Sequence, residues 1–446
     1  MARAASFDVV VVGAGAAGLM AGAELARADR SVLLLDARAR VGGRIWTRRE
    51  PGLAVPVELG AEFIHGHAAI TRDLLAAAGL AVVDAADLHL TVHQGELERR
   101  PDFFPGLRRA LDSVTGVLAQ QDMSFDDLLE RHLAATLSAD ERQRARRMAE
   151  GFDAADTARA SARAIVAEWL GDVLGAGPQS RPRDGYAALL QALLASFEPA
   201  SPSGAARALQ LDSVIREVRW SAGSVEVAGE RAGAPFEIHA RRAIVTLPLG
   251  VLKAPPAAEG AVRFTPPLAA KRSALAGLAS GPVIKMLLRF GAAFWEDLHG
   301  GRYAGASFLH SPHTEISTFW TPAPEHAPLL VAWAGGPRVT HLAAGRDPDA
   351  LARLAVASLQ TLFGSGLNVA AQLEAWYYHD WQQDPFARGA YSYVTVGGSE
   401  ARTALAHPIE DTLFFAGEAT DAAGEAGTVT GALQSGLRAA REVLAR

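Results

Sequence analysis

The hydrophobic pattern opens with Phe7–Val12, a short β-branched run suited to a strand buried on both faces. Helical spacing over 16–28 and a second apolar strand over 31–35 make the chain begin as a βαβ unit. Residues 67–79 and 107–172 read as mostly helical, rich in Ala, Leu, Arg and Glu. Ala176–Asp184 is a Pro/Gly-rich loop leading into a helix from about Tyr186 to Ser196, and Pro199–Gly204 is another loop. Strand patterns cover 208–219, 224–228 and 235–240, and an apolar strand, Ala243–Leu247, is stopped by Pro248. Several strands with turns fill 281–334. A helix, Asp347–Phe363, carries Pro348 in its first turn. Strand 373–378, a Gly/Tyr-rich segment over 388–398, strand 413–416 and a final helix over 428–445 complete the chain. That helix has apolar or small residues at 429, 432, 433, 436, 437, 440 and 443, a buried stripe at helical spacing. No internal repeat of roughly 20–50 residues is visible.

Length and charge narrow the class. A chain of 446 residues predicts roughly two to three domains. Hydrophobic residues at 49% and charged residues at 21% exclude a disordered, collagen-like or coiled-coil protein. Cysteine is absent, which excludes disulfides, thiolate metal sites, a cysteine nucleophile and a cysteinyl cofactor link. No metal site is expected. Acidic residues outnumber basic ones 49 to 43, with no basic tail, which argues against a nucleic-acid partner. Arg3 followed by the apolar run Phe7–Ala28 mimics a secretory signal, but the glycines after Val12 fit a strand turning into a helix. No stretch is apolar enough to span a bilayer, so the expectation is a cytoplasmic protein without a membrane partner.

The opening V-V-V-V-G-A-G-A-A-G fits the dinucleotide fingerprint. Gly13 allows the tight turn, Gly15 lets backbone approach a pyrophosphate, and Gly18 lets helix and strand pack closely. The helix N-terminus offers unpaired N–H groups to the phosphates, and Asp36 ends the next strand where an acid can accept from ribose hydroxyls. The fingerprint alone does not separate NAD from FAD. The next segment, D-A-R-A-R-V-G-G-R-I-W-T (Asp36–Thr47), does so with two arginines and a double glycine just after the ribose-binding acid. Gly42 and Gly43 permit a second close backbone approach, and Arg44 can reach a phosphate or the flavin edge.

Later motifs make a resemblance specific. They are L-G-A-E-F-I-H-G, V-T-L-P-L-G-V-L-K (Val245–Lys253), G-P-V-I-K-M-L-L-R-F (Gly281–Phe290), W-Q-Q-D-P-F-A-R-G-A-Y-S-Y (Trp381–Tyr393) and F-F-A-G-E-A-T with G-T-V-T-G-A. The chain resembles the flavin-containing amine oxidases, the family of the monoamine oxidases, polyamine oxidases and the lysine-specific histone demethylase, and is most similar to the polyamine-oxidase and demethylase branch. Segments 90–180 and 297–370 carry little that matches. The resemblance implies an α/β fold: a discontinuous Rossmann-type FAD domain (1–80, 205–255 and 400–446) and a mixed-sheet and helical substrate domain (81–204 and 256–399). It implies noncovalent FAD held by Gly13, Gly15, Ala16, Gly18, Asp36, Ala37, Arg38, Gly42, Gly43 and Arg44. Also in that set are Gly60, Ala61, Glu62, Phe63, Ile215, Trp381, Gly417, Glu418, Thr428, Val429 and Ala432. Ile215 would pair its backbone with adenine, Glu418 would bind the ribityl or pyrophosphate region, and Val429 would lie near the flavin's pyrimidine edge.

For the reaction itself, the resemblance implies Lys285, His65 and Tyr391 as catalytic residues and Phe63, Trp381 and Thr428 as the substrate pocket. Lys285 could be an exposed edge-strand residue. Yet only three of the 43 basic residues are lysines, and this one lies inside the apolar run V-I-K-M-L-L. His65 reads either as a core or cap histidine or as a group that orients the amine. Trp381 and Tyr391 are core aromatics or walls of the flavin site. Asp153 and Asp156 read as a solvated face or as an anchor for a second amine. Lys253 reads as solvated and stays outside the site. The monoamine-oxidase tyrosine cage is incomplete, because Thr428 faces Tyr391, and Thr430 stands where several polyamine oxidases have histidine. No helical insertion or preceding histone-binding module is seen, so a chromatin role is not expected. The implied activity is FAD-dependent oxidation of a primary or secondary amine, with O2 as acceptor. The alternatives are a dehydrogenase that passes electrons to a carrier protein and a flavin-binding redox sensor. The particular amine and the oligomeric state are left open.

Overall fold

The computed structural model describes residues 6–93, 96–99, 104–171, 179–198 and 201–446. The expected loops Ala176–Asp184 and Pro199–Gly204 lie partly outside these residues. Strand Ser6–Val12 is central in the first sheet, parallel to Val32–Leu35 on one side and to the C-terminal half of the long strand Ala234–Val245 on the other. Val9, Val10, Val11 and Val12 are all buried, as a run with no polar face requires. Alternate side chains feed two cores. Val9 and Val11 meet helices Ala16–Arg27, Tyr186–Phe197 and Val429–Leu444, while Val10 and Val12 meet Leu33, Ile215, Val227 and Phe415. Arg207–Gln210 extends the sheet beyond Val32–Leu35, and Leu413–Phe415 pairs in parallel with Ala243–Val245.

Two expected strands, 235–240 and 243–247, are one continuous strand. Its first half pairs antiparallel with Ser224–Arg231 and its second half changes partner to Ser6–Val12, so the polar Arg241-Arg242 step marks a change of neighbour and not a turn. The run over 208–219 is instead broken at Asp212, which has φ +51°.

The second sheet has the order Leu373–Tyr378, Val283–Phe290, Leu329–Gly335, Thr318–Trp320, Phe308–His310, His89–His93 and Glu96–Glu98. Helix Pro348–Phe363 packs on one face of it. Helices between Phe104 and Leu170 build a separate core with Ala279 and Tyr393. Two segments expected in the substrate part join the first layer. Arg263–Thr265 pairs in parallel with Glu217–Arg219, and helix Tyr186–Phe197 buries its apolar face on the same core as Ala16–Arg27. Both placements rest on long-range pairing that local pattern does not encode. Among the described residues no helix is long and apolar enough to cross a membrane.

Candidate active site

A cavity of about 1820 Å³ runs from the C-terminal ends of the first sheet's parallel strands to the second sheet. That exceeds the roughly 300–1,000 Å³ of an ordinary small-molecule pocket, leaving room for a dinucleotide and a second molecule. Every expected site residue except Gly18 lines it. Gly18 acts on packing instead: a Cβ there would sit 1.9 Å from the Gly13 carbonyl oxygen.

At the first-sheet end, Gly13 (φ +107°) and Gly42 (φ +104°) form the cradle, and a Cβ on Gly13 would meet Thr246 Oγ1 at 2.4 Å. The Gly42 N–H donates to the Ala14 carbonyl at 2.8 Å and ties the two glycine turns together. Helix Ala16–Arg27 starts at Gly15 with no side-chain cap, which leaves its first turn suited to an anion. Asp36 is buried and accepts from the Ala14 N–H at 2.8 Å and the Arg38 N–H at 2.9 Å. Burial raises its pKa, and those two N–H bonds oppose the rise.

Arg38 lines the cavity, and its guanidinium pairs with Asp384 at 2.8 Å. Burial would raise the Asp384 carboxyl, but His379 and Arg38 outweigh it and hold it below its ordinary value. The unassigned Arg40 braces the double glycine, donating to the carbonyls of Val41 (3.1 Å), Ile45 (2.9 Å) and Gly43 (2.9 Å) while lying over Trp46. Its place in R-V-G-G was the one signal for this role.

Arg44 reaches across the chain to Glu418 Oε1 at 2.9 Å and the Ala390 carbonyl at 2.6 Å, and Ser392 Oγ donates to Glu418 Oε2 at 2.6 Å. Burial opposes ionisation of Glu418, but Arg44 and Arg402 outweigh it and lower its pKa. Ile215 stands where the sheet register shifts before Glu217, a bulge beside the cavity. Thr428 caps the final helix: its Oγ1 accepts from the Gly431 N–H at 3.0 Å and donates to the Glu425 carbonyl at 2.6 Å. Its hydroxyl is therefore already used. Thr430 bonds Thr71 at 2.8 Å and lies off the cavity.

At the second-sheet end, the Lys285 Nζ is 2.8 Å from Glu62 Oε2 and donates to the Gly60 carbonyl at 2.9 Å. Gly60 must lack a Cβ, which would fall 1.8 Å from the Arg44 carbonyl oxygen. Trp381 is anchored by its Nε1 donating to the Leu59 carbonyl at 2.9 Å. Burial lowers the His65 imidazole to about 4, so it is neutral at working pH, with its ring 5.5 Å edge-on from Phe152. Burial first, then the charges of Asp153 and Glu168, raise the Tyr391 phenol well above its ordinary value, and its hydroxyl donates to the Phe152 carbonyl at 2.6 Å. Phe63 packs between Trp320 (5.5 Å) and Phe308 (5.9 Å).

Phe152, Arg181, Phe308 and Trp320 escaped sequence reasoning. Three of them lie in the unmatched segments, and Arg181 directly follows one. Asp153 is buried at the cavity beside Glu168, and burial, then Glu168, pushes its carboxyl up; Asp156 instead accepts from the Ala158 N–H at 3.2 Å. Lys253 donates to the Leu278 carbonyl at 2.5 Å, a structural role.

These features fit FAD: two glycine turns with no room for side chains, an uncapped helix start, an acid at the second strand end and a second helix start at Val429. The profile described as "Flavin containing amine oxidoreductase" matches residues 16–444. "Lysine-specific histone demethylase 1 homolog 3" of Arabidopsis thaliana is 26% identical over 98% of this chain, and "Lysine-specific histone demethylase 2" of Homo sapiens is 27% identical over 98%. The chain spans only 30% and 53% of those two proteins. "Polyamine oxidase 4" of Oryza sativa subsp. japonica is 26% identical over 98% of this chain and 88% of its own length. In fold, the chain is similar to a putrescine oxidase solved with putrescine (TM-score 0.79, 20% identity, 100% of both chains) and to cyclohexylamine oxidase from Brevibacterium oxydans (TM-score 0.76, 21% identity, 98% of both). With a profile match over nearly its whole length, and no cysteine to tether a flavin, the chain belongs to the flavin-containing amine oxidoreductases and carries FAD noncovalently.

Proposed function

We propose that the protein oxidises a primary or secondary amine, polyamine- or monoamine-like, to an imine that hydrolyses to an aldehyde or ketone, with O2 reduced to H2O2. The observation that carries this reading is one continuous cavity joining the glycine cradle to a wall of uncharged aromatic groups around Lys285. The chemistry that FAD would supply when bound is a two-electron acceptor for the hydride equivalent lost from the carbon next to nitrogen, with oxygen as the final oxidant. The amine must present a free lone pair, and the low-dielectric aromatic groups of this wall favour the neutral form over the ammonium. With its pKa near 4, His65 is too weak a base to hold an ammonium's proton, so its part is to orient the amine by hydrogen bonding. Tyr391, tied to the Phe152 carbonyl, and Phe63, held between two aromatics, keep water from the reacting carbon. We assign the cofactor to the segments around the first sheet and the amine to the second sheet with its helices. A panel of amines scored for peroxide and for anaerobic flavin bleaching tests the reading. Bleaching by no amine would overturn it, and bleaching followed by very slow reoxidation in oxygen would favour a dehydrogenase.

A further inference from the structure

Glu62 binds more cationic groups than one carboxylate needs. Its Oε2 lies 2.8 Å from the Lys285 Nζ, and its Oε1 accepts from Arg181 Nε at 2.7 Å and from Trp320 Nε1 at 3.0 Å. These partners arrive from three separate strands, Val283–Phe290, Ser180–Pro182 and Thr318–Trp320. The side chains of Lys285 and Glu62 are 4% and 10% exposed. Burial alone would push the Glu62 carboxyl up, but Lys285 and Arg181 outweigh it and hold it at about 2, an anion at any working pH. Glu58 also faces Lys285, yet its oxygens are taken by the Thr47 hydroxyl and the Tyr186 N–H, so it cannot stand in. Without Glu62, two buried cations would share a low-dielectric wall with no anion between them.

We propose that Glu62 is a positioning residue, the counter-ion that pins the Lys285 ammonium to the cavity wall, so that Lys285 acts on the bound flavin only while Glu62 holds it. This rests on reading the cavity as a flavin site with Lys285 at its reactive end. A cation there favours the more negative reduced flavin. Lys285→Met should therefore lower the flavin's reduction potential and slow reoxidation of dithionite-reduced enzyme by oxygen about tenfold or more. Glu62→Gln, which keeps the shape and removes the charge, should do the same to a similar extent. The double variant should lose no more than either single one, the mark of two residues acting as a unit.

A Glu62→Gln potential at or above wild type, or additive losses in the double variant, would overturn the proposal. So would an unchanged Lys285→Met. Should Glu62→Gln fail to retain flavin, Glu62→Asp carries the test. Values between wild type and Lys285→Met would support the proposal, and values equal to wild type would overturn it. Neither readout uses an amine, so a wrong substrate reading leaves this test standing.

Discussion

His65 and Tyr391 owe their protonation states to burial, which disfavours the imidazolium in one and the phenolate in the other. Both remain neutral across the working range and offer shape and hydrogen bonding without charge. Tyr391→Ala and His65→Ala are expected to retain FAD but lower kcat/KM for the best amine by about 1–3 kcal/mol of transition-state binding. Steady-state kinetics that match wild type in both variants would remove them from the site. At this scale Lys285 was legible, because a lysine inside V-I-K-M-L-L contradicts its surroundings. The ion pairs of Glu62 were not, since an acid in L-G-A-E-F-I-H-G says nothing about which cations reach it.

Helix Tyr186–Phe197 shows how elements depend on partners distant in sequence. It starts after Gly185 (φ +78°) with no cap of its own, and its first N–H groups find Glu58 Oε1 at 2.7 Å and Thr47 Oγ1 at 3.0 Å on the hairpin of Thr47–Arg48 and Val57–Glu58. Burial raises the Glu58 carboxyl from 4.5 to about 7, against the pull of those hydrogen bonds and of Lys285. A raised folded pKa means that folding favours the neutral form. The stability this adds is fully present below 4.5 and declines as pH rises through about 7. Chemical denaturation at pH 5 and pH 8 should therefore show wild type losing about 2–3 kcal/mol more than Glu58→Gln over that interval. Equal losses would show that Glu58 is ionised in the folded protein. Periodicity found this helix correctly, but it did not reveal that the helix belongs to the first layer, because an apolar stripe names no partner.

At the scale of the whole molecule, the cavity brings together segments from both ends of the chain, Gly13 and Gly43 on one side and Glu418 and Val429 on the other. Acid or heat precipitation should release FAD into the supernatant, and added FAD should raise the melting temperature of flavin-stripped protein by mass action. Flavin left on the washed pellet would contradict noncovalent binding. The amino-acid order by itself determined the βαβ opening, the glycine turns, the apolar strand around Lys285 and the final helix. Each is set by spacing within about 20 residues, where backbone sterics and burial periodicity act directly. Only the tertiary structure decided which charges neutralise one another. It turned Arg38 onto Asp384, 346 positions away, set Glu62 between Lys285 and Arg181, and drew Phe152 and Trp320 into the cavity wall. Such pairs form because burial leaves an ionised or aromatic group only its neighbours in space, and those neighbours carry no period along the chain.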